Sequence, residues 1–85
     1  MHIEYDKAKR AKTLQERGLD FADAVHVFAG PTLDRLDDRT DYEELRTISV
    51  GMLDGRVVVL VWTLRGQARR IISMRYANER ERKNF

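Results

Sequence analysis

Arg65, Arg69, Arg70 and Arg75 fall within eleven residues, in the run Arg-Gly-Gln-Ala-Arg-Arg-Ile-Ile-Ser-Met-Arg. A guanidinium is always charged, planar and forked. Several of them fixed on one rigid element therefore suit paired, charge-assisted hydrogen bonding to a polyanion better than general solubility. Directly before them, Val57-Val58-Val59-Leu60-Val61-Trp62-Thr63-Leu64 is almost purely β-forming, the pattern of a central strand buried on both faces. The arginine segment is then its hairpin partner, with Arg65-Gly66 at the turn. Strand parity sets a condition on any shared site. Positions 70 and 75 point to opposite faces of a regular strand, so both arginines serve one site only if a bulge or a strand end intervenes.

Other residues have side chains fit for chemistry. Glu44 and Arg46 share strand parity. Glu44 serves as a general base if burial or a like charge raises its pKa, and otherwise as the partner of an arginine in an ion pair. Arg39 and Arg65 lie in or beside loops, where a side chain reaches a ligand without disturbing the core, though a solvated surface position is the commoner fate of such arginines. Tyr5 and Tyr42 are placed to stack on unpaired bases, whereas Trp62, inside the apolar strand, belongs to the core. His2, near a terminus that frays, and His26, on a helix surface, are poorly placed as acid–base groups. With no cysteine and two distant histidines there is no ligand set for a metal, and no cofactor is implied.

These residues must be positioned by a small body. The 85 residues form one domain, 1–85, with a thin core and little room for an enclosed small-molecule cavity, so function lies on a surface. The lack of cysteine fits a reducing cytoplasm. The charged start and the short apolar runs point to a soluble protein without a signal peptide or membrane span. The net charge of +2 conceals an asymmetry: residues 1–64 hold nine Lys/Arg against twelve Asp/Glu, and residues 65–85 hold seven against two. A basic end of this kind attracts phosphate backbones.

His2 to Tyr5 reads as a short edge strand, and Asp6 as the N-cap of a thinly amphipathic helix, Lys7 to Arg17, ending at Gly18. Asp20 caps a second helix through about Phe28, with Phe21, Ala24, Val25 and Phe28 on its buried face. Gly30-Pro31 stops it. Thr32 to Asp41 is acidic and irregular, a loop or a loop with a short edge strand. Leu45 to Gly51 alternates as a half-buried strand, and Asp54-Gly55 is a tight-turn signal into the central strand. Tyr76 to Phe85 is either a docked helix or a frayed tail. The expected fold is α+β: two N-terminal helices on one face of a twisted antiparallel sheet, made of a three-stranded meander plus the edge strand, with a short C-terminal helix and one face left open.

In order, Tyr5-Asp6-Lys7-Ala8-Lys9, Gly18-Leu19-Asp20-Phe21 with Ala24 and Val27-Phe28, Asp38-Arg39, Tyr42 with Glu44 and Arg46, Ile48 to Gly51, and Arg65-Gly66 through Arg70-Ile71-Ile72-Ser73-Met74-Arg75 span nearly the whole chain. This ordered set resembles the BrnT-type toxins, small ribonucleases of bacterial toxin–antitoxin operons with a RelE-like fold. Two positions depart from the family pattern. Arg17 stands where a histidine usually precedes the glycine that ends the first helix, and Glu43 stands where glycine usually separates Tyr42 from Glu44. The resemblance implies a metal-independent endoribonuclease that cleaves RNA, whether free or ribosome-bound mRNA, by attack of a ribose 2′-hydroxyl. It also implies a cognate antitoxin that neutralises the toxin within a hetero-oligomer. Arg70, Arg75, Glu44 and Arg46 are then the catalytic candidates, and Arg39, Arg65, Arg69, Tyr5 and Tyr42 the RNA-binding ones. The alternative, from another class, is a non-catalytic nucleic-acid-binding module using the same basic sheet.

Overall fold

A computed structural model of the chain describes residues 1–39 and 43–85. The elements are β1 (His2–Glu4), α1 (Lys7–Arg17), a 3-10 turn (Phe21–Asp23) continuing into α2 (Ala24–Ala29), β2 (Leu33–Leu36), β3 (Thr47–Leu53), β4 (Arg56–Arg65), β5 (Ala68–Tyr76) and α3 (Glu79–Lys83). The strands form one sheet in the order β1-β5-β4-β3-β2. The architecture is the α+β arrangement expected. Within the acidic segment the short edge strand that its sequence left open is present, as Leu33–Leu36, and extends the meander at one edge. At the other edge β1 runs parallel to β5, so the sheet is mixed rather than wholly antiparallel. No hairpin constrains the direction of β1, because both helices and three strands separate it from its partner in sequence.

Local chemistry explains the boundaries. Asp6 accepts from the backbone N–H groups of Ala8 and Lys9 at 2.8 and 3.2 Å and so starts α1. No residue of α1 is buried and Leu14 is 45% exposed, as its thin apolar stripe predicts. Asp20 accepts from Ala22 N at 2.9 Å and takes both Nε and Nη2 of Arg10, at 2.7 and 2.9 Å, fixing the corner between the helices. The β3–β4 turn has Asp54 at φ +50° and Gly55 at φ +78°, the two positive values of a type I′ hairpin.

The sheet has two faces of different character. On one, Val58, Leu60 and Trp62 of β4 and Ile71 and Met74 of β5 pack beneath Leu19, Phe21, Ala24 and Val27. On the other, Ile48, Val59, Val61 and Ala77 form a smaller apolar cluster with Val50, Val57 and Ile72. β4 is accordingly buried from Val58 to Thr63, on both sides. The second face is not wholly open as expected. Ala77 N donates to Val57 O at 3.0 Å, and the chain then turns into α3, which overlies part of that face. The short C-terminal helix expected is present as α3, held against the sheet through Glu81 rather than by a buried apolar edge, since none of its residues is buried.

Candidate functional site

The arginine hairpin arm contains the irregularity that parity demanded. Trp62 pairs with Ile71 but Val61 pairs with Ser73, so Ile72 is an extra residue in β5. Such a bulge shifts the alternation by one. Arg70, opposite Thr63, and Arg75, opposite Val59, thereby stand on the same face, with Ser73, opposite Val61, between them. The pairing continues across the sheet in rows. Arg75, Val59, Val50 and Leu33 form one, and Ser73, Val61, Ile48 and Arg35 the next. An apolar strip thus runs between Arg35 on one bank and Arg70, Ser73 and Arg75 on the other. At about 3.3 Å per strand residue, Arg70 and Arg75 are roughly 13 Å apart along β5.

The two arginines of β5 on this face each have a carboxylate companion. Arg70 Nη1 donates to Glu4 Oε1 at 3.2 Å, across the parallel β1–β5 ladder. Arg75 is gripped bidentately by Glu81 of α3, with Nη1 and Nη2 each 2.8 Å from a carboxylate oxygen. That hydrogen-bonded fork holds the Glu81 carboxyl at a pKa of about 2, far below its ordinary range, and raises the Arg75 guanidinium further. Arg39 lies near enough to oppose the charge of Arg75, and Arg35 near enough to favour that of Glu81. Arg39 is itself oriented by Asp37, whose side chain is fully buried, through bonds of 2.7 and 2.9 Å. Below these, at the end of β4, Glu44 stands 3.6 Å from Arg46 and 4.0 Å from Arg65. Beside α3 the face has a concavity of about 500 Å³, lined by Leu33, Arg35, Ile48, Val50, Asn78 and Glu81 among others.

The structure therefore brings together Arg70, Arg75, Arg65, Arg46 and Glu44, with Arg39 alongside. It sets Arg69 and Tyr5 apart. The Arg69 guanidinium lies 4.5 Å from the ring centroids of both Phe28 and Trp62, on the face covered by the helices. Tyr5 meets Phe21 edge to face at 6.1 Å beneath Arg10, at the margin of the same core. Tyr42 lies outside the described residues. Arg17, at the position of the family histidine, donates from Nη1 to Met74 O at 3.0 Å and so ties α1 to β5.

Sequence reasoning missed Glu4, Glu81, Ser73 and Arg35. A signal for Glu81 was available. Asn78-x-x-Glu81 is a capping-box spacing, and both of its bonds form, at 2.8 and 2.9 Å. His2 is not a frayed end: it pairs with Ala68 two residues before Glu4, which places it on the face of Arg70.

The face thus offers forked cations around an apolar strip, an arrangement suited to phosphates with bases between them. No helix is long and apolar enough to cross a membrane among the described residues. Comparison with curated proteins found no match. The profile of a family described as "Ribonuclease toxin, BrnT, of type II toxin-antitoxin system" matches residues 5–81. With 5–81 of its 85 residues spanned by that one profile, the chain belongs to the BrnT family of ribonuclease toxins of type II toxin–antitoxin systems.

Proposed function

We propose that the arginine face of the sheet is the catalytic surface of a metal-independent endoribonuclease. The observation that supports this most directly is the bulge at Ile72, which turns Arg70 and Arg75 to one side of β5. Arg70 binds the scissile phosphate and stabilises the charge that builds on its oxygens as the 2′-hydroxyl attacks. Arg75 and Arg39 hold the phosphate farther along the strand. The new bond joins the 2′-oxygen to phosphorus and the P–O5′ bond breaks, leaving a 2′,3′-cyclic phosphate and a 5′-hydroxyl end. His2, on the face of Arg70, takes the 2′-hydroxyl proton, and water supplies one to the departing 5′-oxygen. Glu44, between Arg46 and Arg65, positions those guanidiniums for the flanking backbone. Glu4 does the same for Arg70.

A cognate antitoxin would silence the protein in the cytoplasm by covering the same face. The experiment is cleavage of an RNA oligonucleotide by purified protein in excess EDTA. Products ending in 2′,3′-cyclic phosphate are expected, and Arg70→Ala lowers kcat/KM by about 10²–10³-fold. Salt-sensitive binding without any cleavage would mean that the face is a binding module and that the catalytic assignment is wrong.

A further inference from the structure

The anion that occupies Arg75 on the arginine face belongs to the protein itself. Glu81 presents two carboxylate oxygens to the two terminal nitrogens of Arg75, both at 2.8 Å, the end-on geometry in which an arginine receives a phosphate. The element that delivers this carboxylate is weakly founded. α3 has five residues, Glu79–Lys83, none of them buried, and a helix this short has no stability of its own in water. It is assembled by local contacts: the Asn78–Glu81 capping box, the Glu79–Lys83 pair at 3.4 Å, and Arg82 Nη1 donating to Ala77 O at 3.0 Å. Ala77, by contrast, is firmly placed, 6% exposed and bonded to Val57, so the chain has a fixed point immediately before α3.

Resting on the catalytic reading of this face, we infer that Glu81 is an internal substitute for a substrate phosphate, and that α3 is an autoinhibitory strap which RNA displaces by taking Arg75 from it. The position of the cations fits an exchange. Arg39 and Arg35 both lie within electrostatic reach of the pair, so a phosphodiester arriving at Arg75 enters a site already ringed by positive charge. The Arg75 side chain remains 43% exposed, which gives an incoming anion access to one flank before the carboxylate departs. The concavity between α3 and the β2–β3 strands leaves room for the strap to lift without breaking sheet pairing. The inhibition is competitive and partial: it raises the concentration of RNA required and leaves the chemistry at Arg70 unchanged. The depressed pKa of Glu81 keeps the strap charged, and therefore effective, throughout the physiological range.

The test uses an RNA whose reactive 2′-hydroxyl is replaced by 2′-deoxy, so that binding is read without cleavage. Glu81→Gln preserves size and the capping contact but removes the charge, and binding should tighten about five-fold, the scale of a half-exposed ion pair. In an Arg75→Ala background the same substitution should have no effect. Hydrogen exchange of the unaltered protein supplies a second readout. On adding the oligonucleotide, amides of residues 79–83 should exchange faster while those of β4 and β5 slow. Unchanged or weaker binding by Glu81→Gln, where Arg75→Ala still weakens binding, overturns the strap and leaves the catalytic reading standing. Continued protection of α3 under saturating RNA has the same effect. Loss of neither binding nor cleavage in Arg75→Ala overturns both the strap and the role given to Arg75.

Discussion

Gly51 makes a demanding test of how the helices are seated on the sheet. It lies in β3 opposite Val58, buried, on the face that α2 covers. A Cβ placed there would stand 2.7 Å from Val27 Cγ1 and 3.1 Å from Thr32 Cγ2. Carbon atoms in contact prefer about 3.5–4.0 Å, so the first distance is short by nearly an ångström. Val27 cannot turn aside cheaply: it is fully buried, and a β-branched side chain in a helix has essentially one χ1 rotamer. Either α2 shifts outward or the strand bends, at a cost of about 1–3 kcal/mol. Against this, alanine reduces the freedom of the unfolded chain, worth about 0.4–1 kcal/mol. The net expectation for Gly51→Ala is a loss of about 1–2 kcal/mol, which for a domain of this size lowers Tm by roughly 5–15 °C. Urea unfolding followed by the fluorescence of Trp62, itself nearly buried, reads it directly. In a Val27→Ala background, where the obstructing methyl is gone, the substitution should cost distinctly less. A Gly51→Ala protein as stable as its parent would refute the close approach of α2 to β3.

Two further expectations concern charge. Glu81 titrates at about 2 in the folded chain against an ordinary 4.5, so its contribution to stability is present above pH 4.5 and is lost as the pH falls from there toward 2. Because Arg75 is substantially exposed, the loss should be on the order of 1 kcal/mol rather than the full linkage value, and Glu81→Gln should flatten the decline between pH 5 and 3 in denaturant titrations. An unaltered decline in that variant would exclude the pair as its source. Asp20→Ala removes an N-cap worth about 1 kcal/mol together with both bonds to Arg10. Asp20→Asn keeps the cap and should fall between that variant and the parent. Equal thermal stability of all three proteins would show that the corner between the helices is held by other contacts.

Much of this arrangement was readable from residue types. Asp6, Gly18, Asp20 and Asp54-Gly55 are local signals with local causes, and the elements they delimit appear where those signals stand. β4 was legible because an unbroken apolar run has few alternatives to a strand covered on both sides. β2 was obscured by composition. Leu33-Asp34-Arg35-Leu36 has little β propensity, and it becomes a strand through its ladder to β3 and the bond from Ser49 Oγ to Asp34 Oδ1 at 2.6 Å, both long-range contacts. The parallel course of β1 was hidden for the same reason. In the site, the arginines were evident from their chemistry but their companions were not. Glu4 and Glu81 lie 66 and 6 residues from their partners, and only the folded sheet shows which carboxylate meets which guanidinium. Arg69 and Tyr5 share the arm or edge of the cluster in sequence, yet alternation sends both toward the helices.

The extra residue in β5 has a consequence for anyone transplanting this pair of cations. Copied onto a hairpin with unbroken alternation, two arginines five positions apart would end on opposite sides of the host. A working graft needs a separation of four or six, or else must import the irregularity together with the side chains. The unit that evolution can move intact is therefore a defect with two guanidiniums attached, and the isoleucine at its centre matters for its count more than for its chemistry.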